Sequence, residues 1–208
     1  EEYQFYDRNA MLYPAKDLIF FQADIHGNQL VKERVRTMRR LLEGKPVTIV
    51  TTYAALMTPL AMWDRETAVI ELQQGGSLTE KDLARKLVSF GYENAYQVES
   101  PGQFSIRGGI VDIFDLTEEN PYRIELWGDE VESIRSFDVL SQRSIEKLES
   151  ISVYPASEFV LDDDRIRTGM KTLEKEAKQQ EKYFRDDHKP EEAHRIASQV
   201  KELREQLV

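Results

Sequence analysis

Residues 107–130, RGGIVDIFDLTEENPYRIELWGDE, decide how this chain is read. They hold two short runs of strand-forming residues on either side of a turn-rich segment, Glu119-Asn120-Pro121. In the second run, Tyr122 to Trp127, apolar and polar residues alternate. A period of two sends Ile124 and Leu126 to one side of a strand and Arg123, Glu125 and Trp127 to the other. If the aliphatic pair faces a core, the tryptophan stands on the outer face between charged neighbours. On the run before it, Ile106 points inward with Phe104, so Arg107 joins the outer face. Gly108-Gly109 inside that run predicts a bulge or a close backbone approach and leaves the register open by one residue. Two placements of Trp127 fit these residues. It either faces outward in one patch with Arg107, Arg123 and Glu125, or packs beneath the N-terminal residues or the helix at 79–89.

Further strand signals surround this stretch: NAYQVE, QFSIR, EVESIRSFD and SIEKLESISVYPA, parted by Pro101-Gly102 and Gly128-Asp129. They predict an antiparallel meander accompanied by one helix, EKDLARKLVSF. Thr79 opens that helix, Leu83 and Leu87 share a face and Gly91 closes it. Upstream the texture is α/β. DLIFF (17–21) reads as a strand and NQLVKERVRTMRRLLEG as a helix with Asn28 as N-cap and Gly44 as the residue past its end. PVTIVTT (46–52) reads as a strand buried on both faces, YAALMTPL as a short helix and TAVIEL (67–72) as a third strand, an order that suggests parallel crossover units. Residues 161–208 carry 12 acidic and 11 basic side chains, which favours solvated helices with ion pairs, and Pro190 suits the first turn of a second helix. The expected fold class is therefore α/β plus α+β. A parallel α/β part spans 1–74, a β-rich meander domain 75–152, and a charged helical C-terminal segment 153–208.

Composition narrows the chemistry. The 208 residues carry a net charge of −10, 40% hydrophobic and 32% charged residues, and no cysteine. Disulfides, thiolate metal sites and cysteine nucleophiles are excluded, as a reducing compartment would suggest. No apolar run reaches the ~18 residues of a membrane span, and the start, EEYQFYDRNAMLYP, resembles no signal peptide. With no initiator methionine, the chain reads as a piece of a longer protein. LEGKPV (42–47) fails as a phosphate loop: Arg39 stands where the earlier glycine belongs and Pro46 where a serine or threonine would hold magnesium. His26, His188 and His194 have no metal-ligand spacing. Asp112, Asp115, Glu125, Asp129, Glu130 and Glu132 are numerous, but nothing pairs two of them as an acid and a base. Lys32, Arg34, Arg36, Arg39 and Arg40 form a basic helical run that suits either the wet side of an amphipathic helix or phosphate contacts. Acidic bulk charge argues against tight nucleic-acid binding.

The segment running from GYENAYQVESPGQFSIRGGIVDIFD through PYRIELWGDEVESIRSFDVLSQRSIEKL to SISVYPASEF resembles the amino-terminal module of the bacterial transcription-repair coupling factors. That module is similar to the first domains of UvrB, the helicase-like component of the excinuclease. The dense match covers residues 87–159. Residues 12–72 match more loosely through LYPAKD, ERVRTMRRLLEGKP and IVTTYAALM, and the tail after 161 matches weakly. SFDVLSQRSIEKL resembles the coupling factors rather than UvrB, and no aromatic-rich DNA-clamping hairpin of the latter stands between Ala15 and Leu30. The resemblance implies a first domain like a helicase domain that has lost its nucleotide loop, with the meander inserted in it. It also implies that the meander docks UvrA, another excinuclease component, recruiting nucleotide excision repair to a stalled RNA polymerase.

By the same resemblance the docking residues are Arg107, Arg123 and Trp127, the last standing where phenylalanine is usual, with Glu125 added by similarity to UvrB. The implied setting is the bacterial cytoplasm, without a membrane. No cofactor and no catalytic role belong to this piece. ATP, magnesium, DNA and RNA polymerase belong to other domains of a parent translocase, whose carboxy-terminal domain covers the docking face until the motor engages. The alternatives are a fragment of UvrB, a DNA-damage-binding helicase-like ATPase, or a direct DNA binder acting through the basic helix.

Overall fold

The computed structural model describes residues 6–15, 24–58, 63–160 and 163–207. The chain divides into two compact units, Glu1–Val160 and Leu161–Val208. The strand expected at 17–21 lies outside the described residues.

The first unit is built on a six-stranded sheet in the order β4-β5-β6-β7-β8-β9. Its strands are β4 (Glu93–Asn94), β5 (Gln103–Arg107), β6 (Ile110–Ile113), β7 (Tyr122–Trp127), β8 (Glu130–Phe137) and β9 (Ser144–Leu148). From β5 to β9 every neighbour is antiparallel, the expected meander. NAYQVE gives only the two-residue β4, which pairs parallel with β5. The predicted bulge at Gly108-Gly109 is a two-residue hairpin turn instead. Arg107 faces Ile110 across it, and both glycines have positive φ, +56° and +85°. A type I′ turn needs that conformation at both central positions, and its twist matches the strands. The close approach does occur: a Cβ on Gly109 would lie 3.0 Å from the Leu126 carbonyl oxygen. The irregularities of register fall instead between Glu125 and Leu126 and between Ser136 and Phe137.

One face of this sheet is packed. Phe104, Val111, Ile113, Ile124, Leu126, Val131 and Ile134 form a single buried cluster with Leu83 and Leu87 of the covering helix. That helix (Glu80–Ser89) is capped by Thr79, whose hydroxyl accepts from the Asp82 amide. Ile70 and Leu72 of β3 (Ile70–Gln73) join the cluster, as do Ile151 and Val153 of β10 (Ser150–Val153). β3 pairs antiparallel with β10, so TAVIEL does not enter a parallel sheet. Its first residues are spent on a helical turn, Arg65–Ala68, capped by Asp64.

The parallel crossover expected near the N-terminus is present once. β1 (Ala10–Tyr13), which sequence patterning missed, pairs parallel with β2 (Thr48–Thr51). The helix between them, Asp24–Leu42, runs through Asn28, so Asn28 is not its N-cap; Gly27 within it costs only about 1 kcal/mol relative to alanine. The helix does end as expected. Gly44, at φ +65°, donates to the Leu41 carbonyl and Lys45 to that of Arg40, the double bond of a Schellman closure. β2 is not buried on both faces: Ile49 is 39% exposed, because β2 pairs with β1 alone among the described residues.

In the second unit, helices Asp163–Asp186 and Pro190–Leu207 pack as a hairpin, with Pro190 opening the second as its fixed φ favours. His188 closes the first at φ +59°, and Arg204 pairs with Glu174 at 3.4 Å.

Candidate functional site

The unpacked face of the meander holds the residues singled out by the alternation. Register fixes which of them meet. Arg107 lies across from Ile110, Ile110 from Glu125, Asp112 from Arg123, and Arg123 from Arg135. All six side chains therefore leave the sheet on the side opposite Ile124. At the centre sits Asp112, 1% exposed. Arg123 grips it with two bonds, Nε to Oδ1 at 2.6 Å and Nη2 to Oδ2 at 2.8 Å. Arg107 reaches the same Oδ2 from the diagonal position at 3.2 Å. Two guanidiniums on one buried carboxylate leave a net positive charge there.

The two arginines differ in freedom. The Arg123 side chain is only 16% exposed; its guanidinium lies 4.2 Å over the buried Phe137 ring, and Nη2 also donates to Gln142 Oε1 at 2.9 Å. The Asp112 hydrogen bond foremost, with the Asp112 and Glu125 charges, outweighs desolvation and raises its pKa further. Arg107 is 41% exposed and held by one bond, with Tyr96 5.9 Å away. Beside them, Glu125 accepts from the Ser133 hydroxyl at 2.6 Å and pairs with Arg135. The Ser133 bond foremost, then the Arg135 charge, outweighs desolvation and holds the Glu125 carboxyl below its ordinary range. Arg135 Nε finds no acceptor among the described residues.

Trp127 ends β7, just before the Gly128-Asp129 turn, and is 79% exposed. Its indole lines a shallow groove with Gln74, Gly75, Glu130 and Glu132. Of its two possible placements, the structure takes the outward one. Four residues of strand separate it from Arg123, about 13 Å at ~3.3 Å per residue. The structure thus gathers Arg107, Arg123 and Glu125 around neighbouring carboxylate pairs and places Trp127 at the far end of the same strand.

Sequence reasoning passed over Asp112, Gln142 and Arg135 as members of this face. Asp112 was legible in principle: with Gly108-Gly109 read as a two-residue turn, Ile110 faces Arg107, and counting two residues on puts Asp112 on the same face as the arginines. Gln142 had no signal, since its place follows from a loop.

The other candidate chemistry resolves into structure. Asp115, fully buried, accepts from the Tyr154 and Thr117 amides at 2.9 and 2.8 Å and from the Thr117 hydroxyl at 2.7 Å; burial foremost pushes its pKa up. The basic helix is neither a wholly wet face nor a phosphate comb. Arg34 is 1% exposed, stacks 4.0 Å over Tyr13, pairs with Glu158 and donates to the Pro14 carbonyl. Arg39 binds Glu43 and Glu118, and Arg40 binds Asn9 and the Pro46 carbonyl. Among the described residues, no group of three or more acidic or histidine side chains is placed to hold a metal, and no helix is long and apolar enough to cross a membrane.

A charged face locked in register, with an indole held out beside it and a packed core behind, is the surface of an interaction domain. Residues 70–159 match the family model of the UvrB interaction domain. Across 94% of its length the chain is 37% identical to the transcription-repair-coupling factor of Bacillus subtilis (strain 168). It is 36% identical over 79% of its length to that of Staphylococcus aureus (strain Mu50 / ATCC 700699), and 37% identical over 74% to that of Staphylococcus haemolyticus (strain JCSC1435). The chain spans between 13% and 17% of the length of these relatives. It is thus similar to one segment of the transcription-repair coupling factors.

Proposed function

We propose that the chain is the docking module by which a transcription-repair coupling factor recruits the excinuclease, through its UvrA component, to stalled RNA polymerase. The observation that carries this reading is the pairing of an exposed indole, Trp127, with a net-positive guanidinium cluster on one face of the domain. The matched family is described as the UvrB interaction domain, and the chain is similar to coupling factors. Aromatic and arginine side chains dominate interface energetics because a rigid ring buries much area at small entropic cost and a guanidinium forks onto carboxylates. Trp127 would seat in a partner pocket. Arg107, the more exposed of the two arginines on Asp112, would meet a partner carboxylate, and Glu125 would hold Arg135 in place.

In this reading residues 1–74 belong to a helicase-like domain that interrupts its course with the docking domain at 75–152, and 153–208 return towards it. The setting is the bacterial cytoplasm. No cofactor acts in this segment; ATP, magnesium, DNA and RNA polymerase engage other parts of the parent translocase. The test is calorimetry of the 208-residue chain with purified UvrA. Binding that weakens with salt, and that Trp127→Ala reduces about 30-fold, is the expected result. No heat of binding at micromolar concentrations would overturn the reading.

A further inference from the structure

Beyond the arginines themselves stands a loop that nothing in the docking reading uses. Residues 138–143 join β8 to β9 through a tightly knotted turn. The Asp138 carboxylate accepts from the Ser141 amide at 2.8 Å and its hydroxyl at 2.6 Å. The Gln142 amide donates to the Asp138 carbonyl at 2.8 Å, and the Asp138 amide to that of Arg143 at 2.9 Å. Gln142 itself sits at φ +58°, a conformation that side chains other than glycine rarely adopt. Its amide side chain is fixed at both ends. Nε2 donates to the Val139 carbonyl at 2.8 Å, and Oε1 accepts from Arg123 Nη2. A strained residue whose side chain spans from its own turn to a guanidinium is the kind of outlier that has to be explained.

We propose that Gln142 is a positioning residue of the docking face: it clips Arg123 flat between Asp112 and Phe137. Arg123 thereby becomes a fixed platform, and Arg107 is the arm that leaves Asp112 to meet the partner's carboxylate. The proposal rests on the docking reading. Its physical basis is the unequal freedom of the two arginines. Arg123 carries four anchors: the bidentate Asp112 pair, the Phe137 ring and Gln142. Its rotamer entropy is lost on folding, so little remains to be lost on binding. Arg107, with one bond at 3.2 Å, can exchange partners without uncovering Asp112, because Arg123 keeps both carboxylate oxygens occupied.

The discriminating variant is Gln142→Gly. Glycine accepts φ +58° without strain, so the loop is kept while the clip is removed. In the 208-residue chain its melting temperature should equal or exceed that of wild type. The Arg123 Nε–H resonance should exchange faster with solvent. Affinity for UvrA should fall roughly 3- to 10-fold, the equivalent of one net hydrogen bond. Its salt dependence should persist, whereas Arg107→Ala should flatten it. If Gln142→Gly fails to fold, Gln142→Asn tolerates the same φ but is too short for the clip, and the same losses are expected. A wild type that binds, with Gln142→Gly within two-fold of it, overturns the clip and leaves the docking reading standing. A wild type that does not bind overturns both.

Discussion

Replacing Arg123 with alanine separates what this arginine does for the fold from what it does for a partner. Asp112 is 1% exposed and its two oxygens are held chiefly by Arg123. Removing one member of a buried ion pair costs about 3–5 kcal/mol, because a desolvated charge is left without compensation. Arg107 retains one bond to Oδ2, so the low end, about 3 kcal/mol, applies. The Phe137 ring, covered by the guanidinium, also becomes wet. For a chain of this size that corresponds to a melting temperature lower by about 6–12 °C. Urea and thermal unfolding followed by circular dichroism measure it. Arg107→Ala, at an exposed and singly bonded position, should cost no more than about 1 kcal/mol. The double variant Asp112→Ala/Arg123→Ala should be less damaged than the sum of its parts, by about 1–3 kcal/mol, since the orphaned charge disappears with its partner. An Arg123→Ala protein within about 0.5 kcal/mol of wild type would refute this reasoning and return Arg123 to the status of a surface residue. The practical consequence is that a binding defect in Arg123→Ala is ambiguous, whereas one in Arg107→Ala is not.

Other consequences can be checked in the same apparatus. Gly108→Asn should be neutral, since asparagine suits the first position of a I′ turn and no atom lies within 4 Å of its added Cβ, while Gly109→Ala should cost about 1–3 kcal/mol through its φ of +85° and the Leu126 carbonyl. His188→Gly should stabilise the helical hairpin by about 1 kcal/mol by relieving the left-handed conformation, visible as a higher melting temperature. Glu125 titrates below its ordinary value of 4.5 in the folded chain. The unfolded chain therefore binds the proton first, and the stability Glu125 contributes is complete above that value and lost as pH falls through the lower folded one. Glu125→Gln should flatten the acid limb of a stability–pH profile.

The sheet and its packed face were legible because a period of two is a strong signal where one side is buried: Ile124 and Leu126 went inward as the alternation required. The outward indole followed from the same count. What the residues did not reveal was long-range. TAVIEL has the composition of a parallel strand, yet β3 pairs with β10, some 80 residues later, because Ile70 and Leu72 complete the core against Ile151 and Val153. The basic helix read as solvated because Glu158, which draws Arg34 inside, is 124 residues away. Gly108-Gly109 read as a bulge because the strands on both sides were taken as one run; the turn residues themselves were visible. Gln142 was beyond reach of pattern, since a residue at positive φ in a loop leaves no periodicity.

The most direct measurement of the central claim is the affinity of Trp127→Ala for UvrA, set beside its stability. At 79% exposure the indole contributes little to the fold, so the melting temperature should stay within about 2 °C of wild type. The dissociation constant should rise about 30-fold. A folded Trp127→Ala protein that binds as tightly as wild type would contradict the assignment of this face as the docking surface.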